Sequence, residues 1–318
     1  MYSFEVKRLS ELFIQKAFMP LQEVILQTRQ ALQAAVVNNF DLVEAYPPLR
    51  HFQLADDVLI TELDHHLAEQ IMDCCEQRVF GIPKPVRLSP QLYAFVRLNS
   101  ENDSIWDWVP DQRLEHCVAL SRLVHPTSIP LSMHVKISVG ADGNLLELIP
   151  IETALQGAFI ADRGGRDWLT TGDARQIRDL VSHLPLSVPK RVSRALWYFE
   201  MAARNYFADI RWTLIATGLE ALVHTERGRS THQFTTRTSR LAEFLKIAKF
   251  TRDAALSFYD LRSGLSHGQG LGTLAGPEQE LYTMGEDVLR TALLRSILDG
   301  AFASTFADTA SIILNWAI

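Results

Sequence analysis

The chain has 318 residues, of which 47% are hydrophobic and 21% charged, so a packed core is expected and intrinsic disorder is excluded. No apolar run reaches the roughly 18 residues that a membrane span needs, and the first residues do not form a signal peptide. The cysteines (Cys74, Cys75 and Cys117) suit neither a disulfide framework nor a zinc site. A cytoplasmic protein without a membrane partner is therefore predicted.

Charge is distributed unevenly along the chain. The net charge is −6, but residues 186–318 hold 15 Lys+Arg against 13 Asp+Glu, which gives +2. Residues 1–185 hold 16 Lys+Arg against 24 Asp+Glu, which gives −8. A balance this small excludes a broad basic surface for nucleic acid. Any contact with RNA is therefore expected to be local, at a small group of arginines.

The first 185 residues mix helical and strand periodicities. Residues 5–38 keep a helical spacing of apolar side chains, which predicts one long or two short amphipathic helices. An Asp142-Gly143 turn between two β-rich runs predicts a hairpin. The other predicted elements are strands at 58–63 and 93–98 and helices at 64–72, 114–124 and 173–183. We predict an α+β domain over residues 1–185.

One cluster in this half has the residue types of a metal site. Glu62, Asp64, His65, His66 and Glu69 lie within about two helical turns. The two histidines are adjacent and point about 100° apart, unlike the i,i+4 pair on a metalloprotease helix. A solvated helix start is the favoured interpretation, so no metal and no cofactor are expected. A metal-dependent enzyme is the lowest-ranked alternative.

The period becomes helical after the prolines at positions 185 and 189, where the domain boundary is placed. Short connections containing Gly and Ser separate the predicted helices, which is typical of a helical bundle. These helices are predicted within 191–207 and at 210–222, 234–250, 252–265, 277–302 and 311–316. We therefore predict an all-α bundle over residues 186–318 and a chain that is mainly α overall.

Arg262 and His267 stand at the C-terminal end of the predicted helix at 252–265, ahead of glycines that favour a helix stop. A histidine can move a proton near neutral pH, and a guanidinium binds phosphate oxygens. Five residues apart, the two side chains point about 140° apart. They converge only if the turn relaxes near Gly264, or if a second copy presents its own pair. The alternative is that they only stabilise a helix end.

The surrounding residues resemble a known family. Tyr259-Asp260-Leu261-Arg262-Ser263-x-x-x-His267-Gly268 resembles the signature of the HEPN superfamily, in which Arg, about four to six residues and His close the third helix. Trp212–Leu222 looks like the "aLEaL" helix of the Apea-like branch. Phe234–Ala242 is similar to the second helix of that branch. The resemblance covers about the last 130 residues.

The resemblance implies a bundle that dimerises, so that two facing motifs form a metal-independent ribonuclease site. His267 would act as general acid or base, and Arg262 would hold the scissile phosphate. The products would carry a 2′,3′-cyclic phosphate. The supporting positions that the same pattern implies are Ser263, Asp260, Glu220 and Arg237. For the last two, an internal ion pair that fixes helix packing is favoured over a direct role.

The expected function is a conditional bacterial endoribonuclease, a toxin or antiphage-defence effector, with RNA as substrate and a second copy as partner. Residues 1–185 would then serve as a sensing or targeting domain for a phage component or nucleotide, by analogy with the family. The alternative is an inactive module for binding RNA or nucleotide, or for dimerisation.

Overall fold

A computed structural model describes residues 2–6, 49, 51–62, 64, 66–67, 70, 93–98, 112–125, 134–152, 169–205, 207–267, 270–271 and 276–317. The chain divides into two compact units, which meet in sequence between Val181 and Ser182. It is mainly helical, with an antiparallel sheet in the N-terminal part. No helix within the described ranges is long and apolar enough to cross a bilayer.

The first unit contains a six-stranded antiparallel sheet with strand order β2-β3-β4-β1-β5-β6. The strands are β1 (Tyr2–Val6), β2 (His51–Ala55), β3 (Val58–Glu62), β4 (Tyr93–Leu98), β5 (His134–Val139) and β6 (Leu145–Glu152). Two helices, α1 (Gln112–Val124) and α2 (Thr171–Val181), belong to the same unit. The predicted strands β3 and β4, the β5–β6 hairpin and both helices are confirmed.

The helix predicted from residue 5 is wrong at its start. Residues 5 and 6 belong to β1, which pairs with both β4 and β5 in the middle of the sheet. In a strand of five residues the alternation of apolar and polar side chains is too short to outweigh the helical pattern that follows it. Hydrogen bonding to the two adjacent strands decides the conformation of these residues instead. Residues 7–38 of that prediction lie outside the described residues.

The second unit consists of helices. They are α3 (Lys190–Ala203), α4 (Ala208–Val223), α5 (Ser230–Phe244), α6 (Arg252–Ser266), α7 (Gly276–Leu298), α8 (Gly300–Ser304) and α9 (Thr309–Trp316). The helix predicted at 234–250 ends earlier, at Phe244. The helix predicted at 277–302 is two helices, because Asp299 is extended and its carboxylate accepts the N–H groups of Ala301 and Phe302.

Aromatic side chains form the core of this unit. Trp212 of α4 stacks on Phe258 of α6 with ring centroids 4.8 Å apart, and its indole N–H donates to the Phe258 carbonyl at 3.0 Å. Phe234 of α5 and Tyr282 of α7 pack against the same pair. Because Phe258 precedes Arg262 by one helical turn, this core fixes which face of α6 carries the arginine.

Candidate functional site

The predicted catalytic pair lies at the C-terminal end of α6, and the helix is unbroken there. His267 is the residue at which α6 ends, and its N–H bonds to the carbonyls of Ser263 and Gly264. Gly264 lies inside the helix, so the prediction that the turn relaxes near this glycine and lets the two side chains converge is wrong. The Arg262 and His267 side chains therefore leave the helix in directions about 140° apart, with their Cα atoms separated by a rise of about 7.5 Å.

Arg262 is anchored to the neighbouring helix α4. Its Nη2 donates to Oε2 of Glu220 at 3.0 Å, and the Tyr259 hydroxyl donates to Oε1 of the same carboxylate at 2.9 Å. The guanidinium also lies 5.5 Å from the centre of the Tyr259 ring. The side chains of Arg262 and Glu220 keep 27% and 16% of their exposure, so water screens their attraction only in part. We name these three residues the Glu220 cluster.

Tyr259 is a hydrogen-bond donor in this cluster at neutral pH. Burial is the main reason that the pKa of its hydroxyl is raised above the ordinary value of 10.0, and the hydrogen bond and charge of Glu220 raise it further, while a hydrogen bond with Ser230 and the charge of Arg262 oppose the shift. The hydroxyl therefore keeps its proton, and both oxygens of the Glu220 carboxylate receive a hydrogen bond. The cluster holds Arg262 in a defined position.

Glu220 and Arg237 do not form the internal ion pair that the sequence favoured. Arg237 is only 4% exposed, and its Nη1 donates to the carbonyl of Val223 at 3.0 Å and to that of His224. Those carbonyls belong to the C-terminal end of α4, where no intrahelical donor remains for them. Arg237 thus caps α4 from α5, while Glu220 binds Arg262.

The other predicted site residues lie along α6. His267 and Asp260 are exposed, and Ser263 is half-buried. The structure thus brings Glu220 and Arg262 together and leaves the histidine at the solvent-exposed end of the helix. Gly268, which was predicted to stop the helix, lies outside the described residues.

A cleft of about 380 Å³ lies between α3 and α4, and Glu220 forms part of its wall. Its lining residues are Lys190, Arg191, Arg194, Tyr198, Thr217, Glu220, Ala221, His224 and Thr225. Lys190, Arg191 and Arg194 were not predicted as site residues from the sequence. Yet they precede Tyr198 at positions that share one helix face. That spacing was the available signal.

His224 ends α4 in an unusual backbone conformation. Its φ is 53°, in the left-handed region that residues other than glycine rarely adopt, and Arg237 holds its carbonyl there. Its Nδ1 lies 3.4 Å from Nη1 of Arg191. Burial first, then the charges of Arg191 and Arg237, lower the pKa of this imidazole below the ordinary value of 6.5. No sequence pattern signals this environment.

The suspected metal cluster belongs to the first unit. The Asp64 carboxylate accepts the N–H groups of His66 at 2.9 Å and Leu67 at 3.3 Å, which is the arrangement of a helix cap. His66 Nε2 lies 3.0 Å from Oδ1 of Asn144. His65 and Glu69 lie outside the described residues. Within the described part of the chain, no group of three or more His, Cys, Asp or Glu is placed to hold a metal ion.

Comparison of the chain with protein-family models, with curated proteins and with solved structures finds no match.

Proposed function

We propose that this protein is a metal-independent endoribonuclease of the HEPN type that acts as a dimer through Arg262 and His267. The observation that carries the proposal is the geometry of α6, which holds Arg262 in the Glu220 cluster and exposes His267 at its end. Because α6 is unbroken, one copy directs the two groups apart. A second copy, with its α6 facing the first, would supply the missing partner at each site.

In this mechanism His267 takes the proton from a ribose 2′-hydroxyl, whose oxygen then attacks the adjacent phosphorus. The bond from phosphorus to the 5′-oxygen breaks, that oxygen takes up a proton from water, and a 2′,3′-cyclic phosphate remains. Arg262 donates hydrogen bonds to the phosphate oxygens as negative charge builds on them. Glu220 and Tyr259 are positioning residues, because they act on the guanidinium and not on the RNA.

The remaining parts of the proposal concern the whole chain. The helices of the second unit would form a HEPN-like bundle and dimerise through it. The first unit would act as the sensing or targeting domain, so that a trigger raises the rate of cleavage and leads to growth arrest or phage defence. The substrate would be a single-stranded region of RNA, because the 2′-hydroxyl of an unpaired nucleotide is free to align with the scissile bond.

Purified full-length protein and single-stranded RNA in the presence of EDTA would test this proposal. We expect cleavage with 2′,3′-cyclic phosphate ends in the wild type and no cleavage of the matching DNA. Arg262→Ala and His267→Ala should each lower the rate by about a hundredfold or more. The matched controls are Arg252→Ala at the start of the same helix and His232→Ala, because both side chains are exposed.

Because a trigger would raise the rate of cleavage, the same variants should also be expressed in bacteria under phage challenge, with growth and total RNA read together. RNA fragmentation in the wild type and in both controls, and its loss in Arg262→Ala and His267→Ala, is the expected result. Cleavage that persists in His267→Ala would overturn the assignment of the histidine.

The bond between Arg262 and Glu220 also favours a second candidate, a non-catalytic module in which the arginine only joins α6 to α4. This alternative predicts intact RNA in every variant. It also predicts that Arg262→Ala lowers stability, whereas His267→Ala, at an exposed position, leaves both stability and binding unchanged.

A further inference from the structure

The cleft between α3 and α4 is rich in positive charge. Lys190, Arg191 and Arg194 all line it, and none of them forms an ion pair with a carboxylate in the part of the chain that the structure describes. Arg191 donates to the Thr309 hydroxyl, and Arg194 to the Tyr198 hydroxyl. Both bonds orient a guanidinium without neutralising it, and the carboxylate of Asp308 acts on Arg191 through its charge without forming an ion pair. Three cations in one cleft repel each other, and an anionic ligand removes that cost.

The one carboxylate of the cleft is already neutralised. Glu220 lines the cleft, but its charge is balanced by Arg262, and both of its oxygens accept hydrogen bonds. An anion that enters the cleft therefore meets cations and an occupied carboxylate. The same bond places the predicted phosphate-binding arginine of α6 next to the cleft.

Aromatic side chains flank these cations on α3. Trp197 is 56% exposed, which is unusual for so large a side chain, and its ring lies 5.1 Å from that of Tyr198 in the cleft wall. Trp197 is not among the lining residues, but on an ideal helix it lies about 20° from Lys190, which does line the cleft. Cations that follow a phosphate backbone beside an exposed aromatic ring are the features by which proteins bind single-stranded nucleic acid.

We propose that the α3–α4 cleft binds the phosphate backbone of a single-stranded RNA, with Arg191 and Arg194 on adjacent phosphates and a base stacked on Trp197. This inference rests on the proposed function and deepens it, because it supplies the surface that presents the strand to Arg262. An enclosed nucleotide pocket fits less well, since Lys190, Arg194 and Trp197 are all exposed. Binding is expected to be local, as the small net charge of this half requires.

Fluorescence anisotropy of the full-length protein with a labelled, fully 2′-O-methylated RNA strand measures binding without cleavage. The double variant Arg191→Ala/Arg194→Ala should weaken binding by about tenfold or more at 0.1 M salt, and should lower the slope of log K against log salt by about 1.4, or about 0.7 for each lost phosphate contact. The control is Arg240→Ala/Arg252→Ala, which removes the same charge from exposed positions elsewhere in the second unit. Trp197→Ala should weaken binding by about tenfold without changing the slope.

Equal weakening in the two double variants would overturn the inference, because binding would then follow net charge alone. Competition by inorganic phosphate or a mononucleotide at concentrations as low as those of the strand would also overturn it, in favour of a small-molecule site. His267→Ala separates this inference from the proposed function, because it should bind the strand like the wild type. Binding that depends on the cleft, without any cleavage, would refute the proposed nuclease activity and support the cleft as the RNA-binding site. Cleavage without cleft-dependent binding would support the nuclease activity and refute the cleft as the RNA-binding site.

Discussion

Glu220 is the residue on which the candidate site depends most, because it joins α4 to α6 and borders the cleft. Its two oxygens accept hydrogen bonds from a charged donor, Arg262, and from a neutral donor, Tyr259. The charge of the carboxylate strengthens both bonds, and only the bond from Arg262 is also an ion pair. The position of the arginine therefore depends more on the carboxylate than on the tyrosine.

This difference gives a prediction for stability. Glu220→Gln removes the charge that strengthens both bonds and should lower the free energy of unfolding by about 3 kcal/mol, whereas Tyr259→Phe removes one of the two bonds to the carboxylate and should cost about 1.5 kcal/mol. Urea denaturation followed by circular dichroism measures both. A larger loss in Tyr259→Phe than in Glu220→Gln would contradict the described arrangement.

The imidazole of His224 should make the stability of the folded protein depend on pH. The pKa of its imidazole is lowered in the folded state, mainly by burial and then by Arg191 and Arg237, while Glu226 opposes the shift. As pH falls below the ordinary value of 6.5, the unfolded chain therefore takes up the proton first, and stability falls. His224→Asn, which suits the positive φ and cannot titrate, should reduce the loss of stability between about pH 7 and 5.5.

The titration itself can be followed by NMR of the His224 ring. Arg191→Met should raise the pKa of His224 toward its ordinary value, because it removes one of the two positive charges that lower it. The control Arg252→Met should not change it, as Arg252 is exposed at the start of α6. A pKa unchanged by Arg191→Met would show that the arginine does not face the imidazole.

At the scale of the elements, the position of α6 depends on close packing against α7. A Cβ atom at Gly285 of α7 would overlap the ring of Phe258, which is fully buried between the helices. Only glycine therefore lets α7 approach this closely. Phe258 in turn packs on Trp212, so the same contact sets the distance between α6 and α4 at the Glu220 cluster.

Gly285→Ala is therefore expected to destabilise the protein by about 1–3 kcal/mol, because the ring has to move within a packed core. Gly300→Ala is the matched control, since a Cβ there meets nothing within 4 Å and its φ is not in the left-handed region. That control should be neutral or slightly stabilising. Thermal or urea denaturation measures both, and equal effects would contradict the close approach of α7.

At the scale of the whole molecule, the proposed function requires two copies. If each site takes Arg262 from one copy and His267 from the other, a dimer of one Arg262→Ala copy and one His267→Ala copy contains one intact site. Equal mixing after refolding gives mixed dimers in half of the population, so about a quarter of the wild-type activity should return. Activity that stays at the level of the single variants would exclude a shared site.

The sequence determined much of the helical content and the candidate chemistry. Periodicity in apolar residues is a local property, so the helices α3 to α6, the β5–β6 hairpin and the positions of Arg262 and His267 could be read directly. The breaks at Phe244 and Asp299 were missed, because a periodic pattern continues across a helix end when the next helix packs on the same core.

Only the tertiary structure decided the partners of the site residues. Glu220 and Arg262 are 42 residues apart, and no spacing indicates that the carboxylate binds this arginine and not Arg237. Sequence spacing likewise does not indicate the position of β1 in the middle of the sheet or the lowered pKa of His224. Each arises where elements distant in sequence pack together, because burial and charge at a residue depend on its neighbours in space.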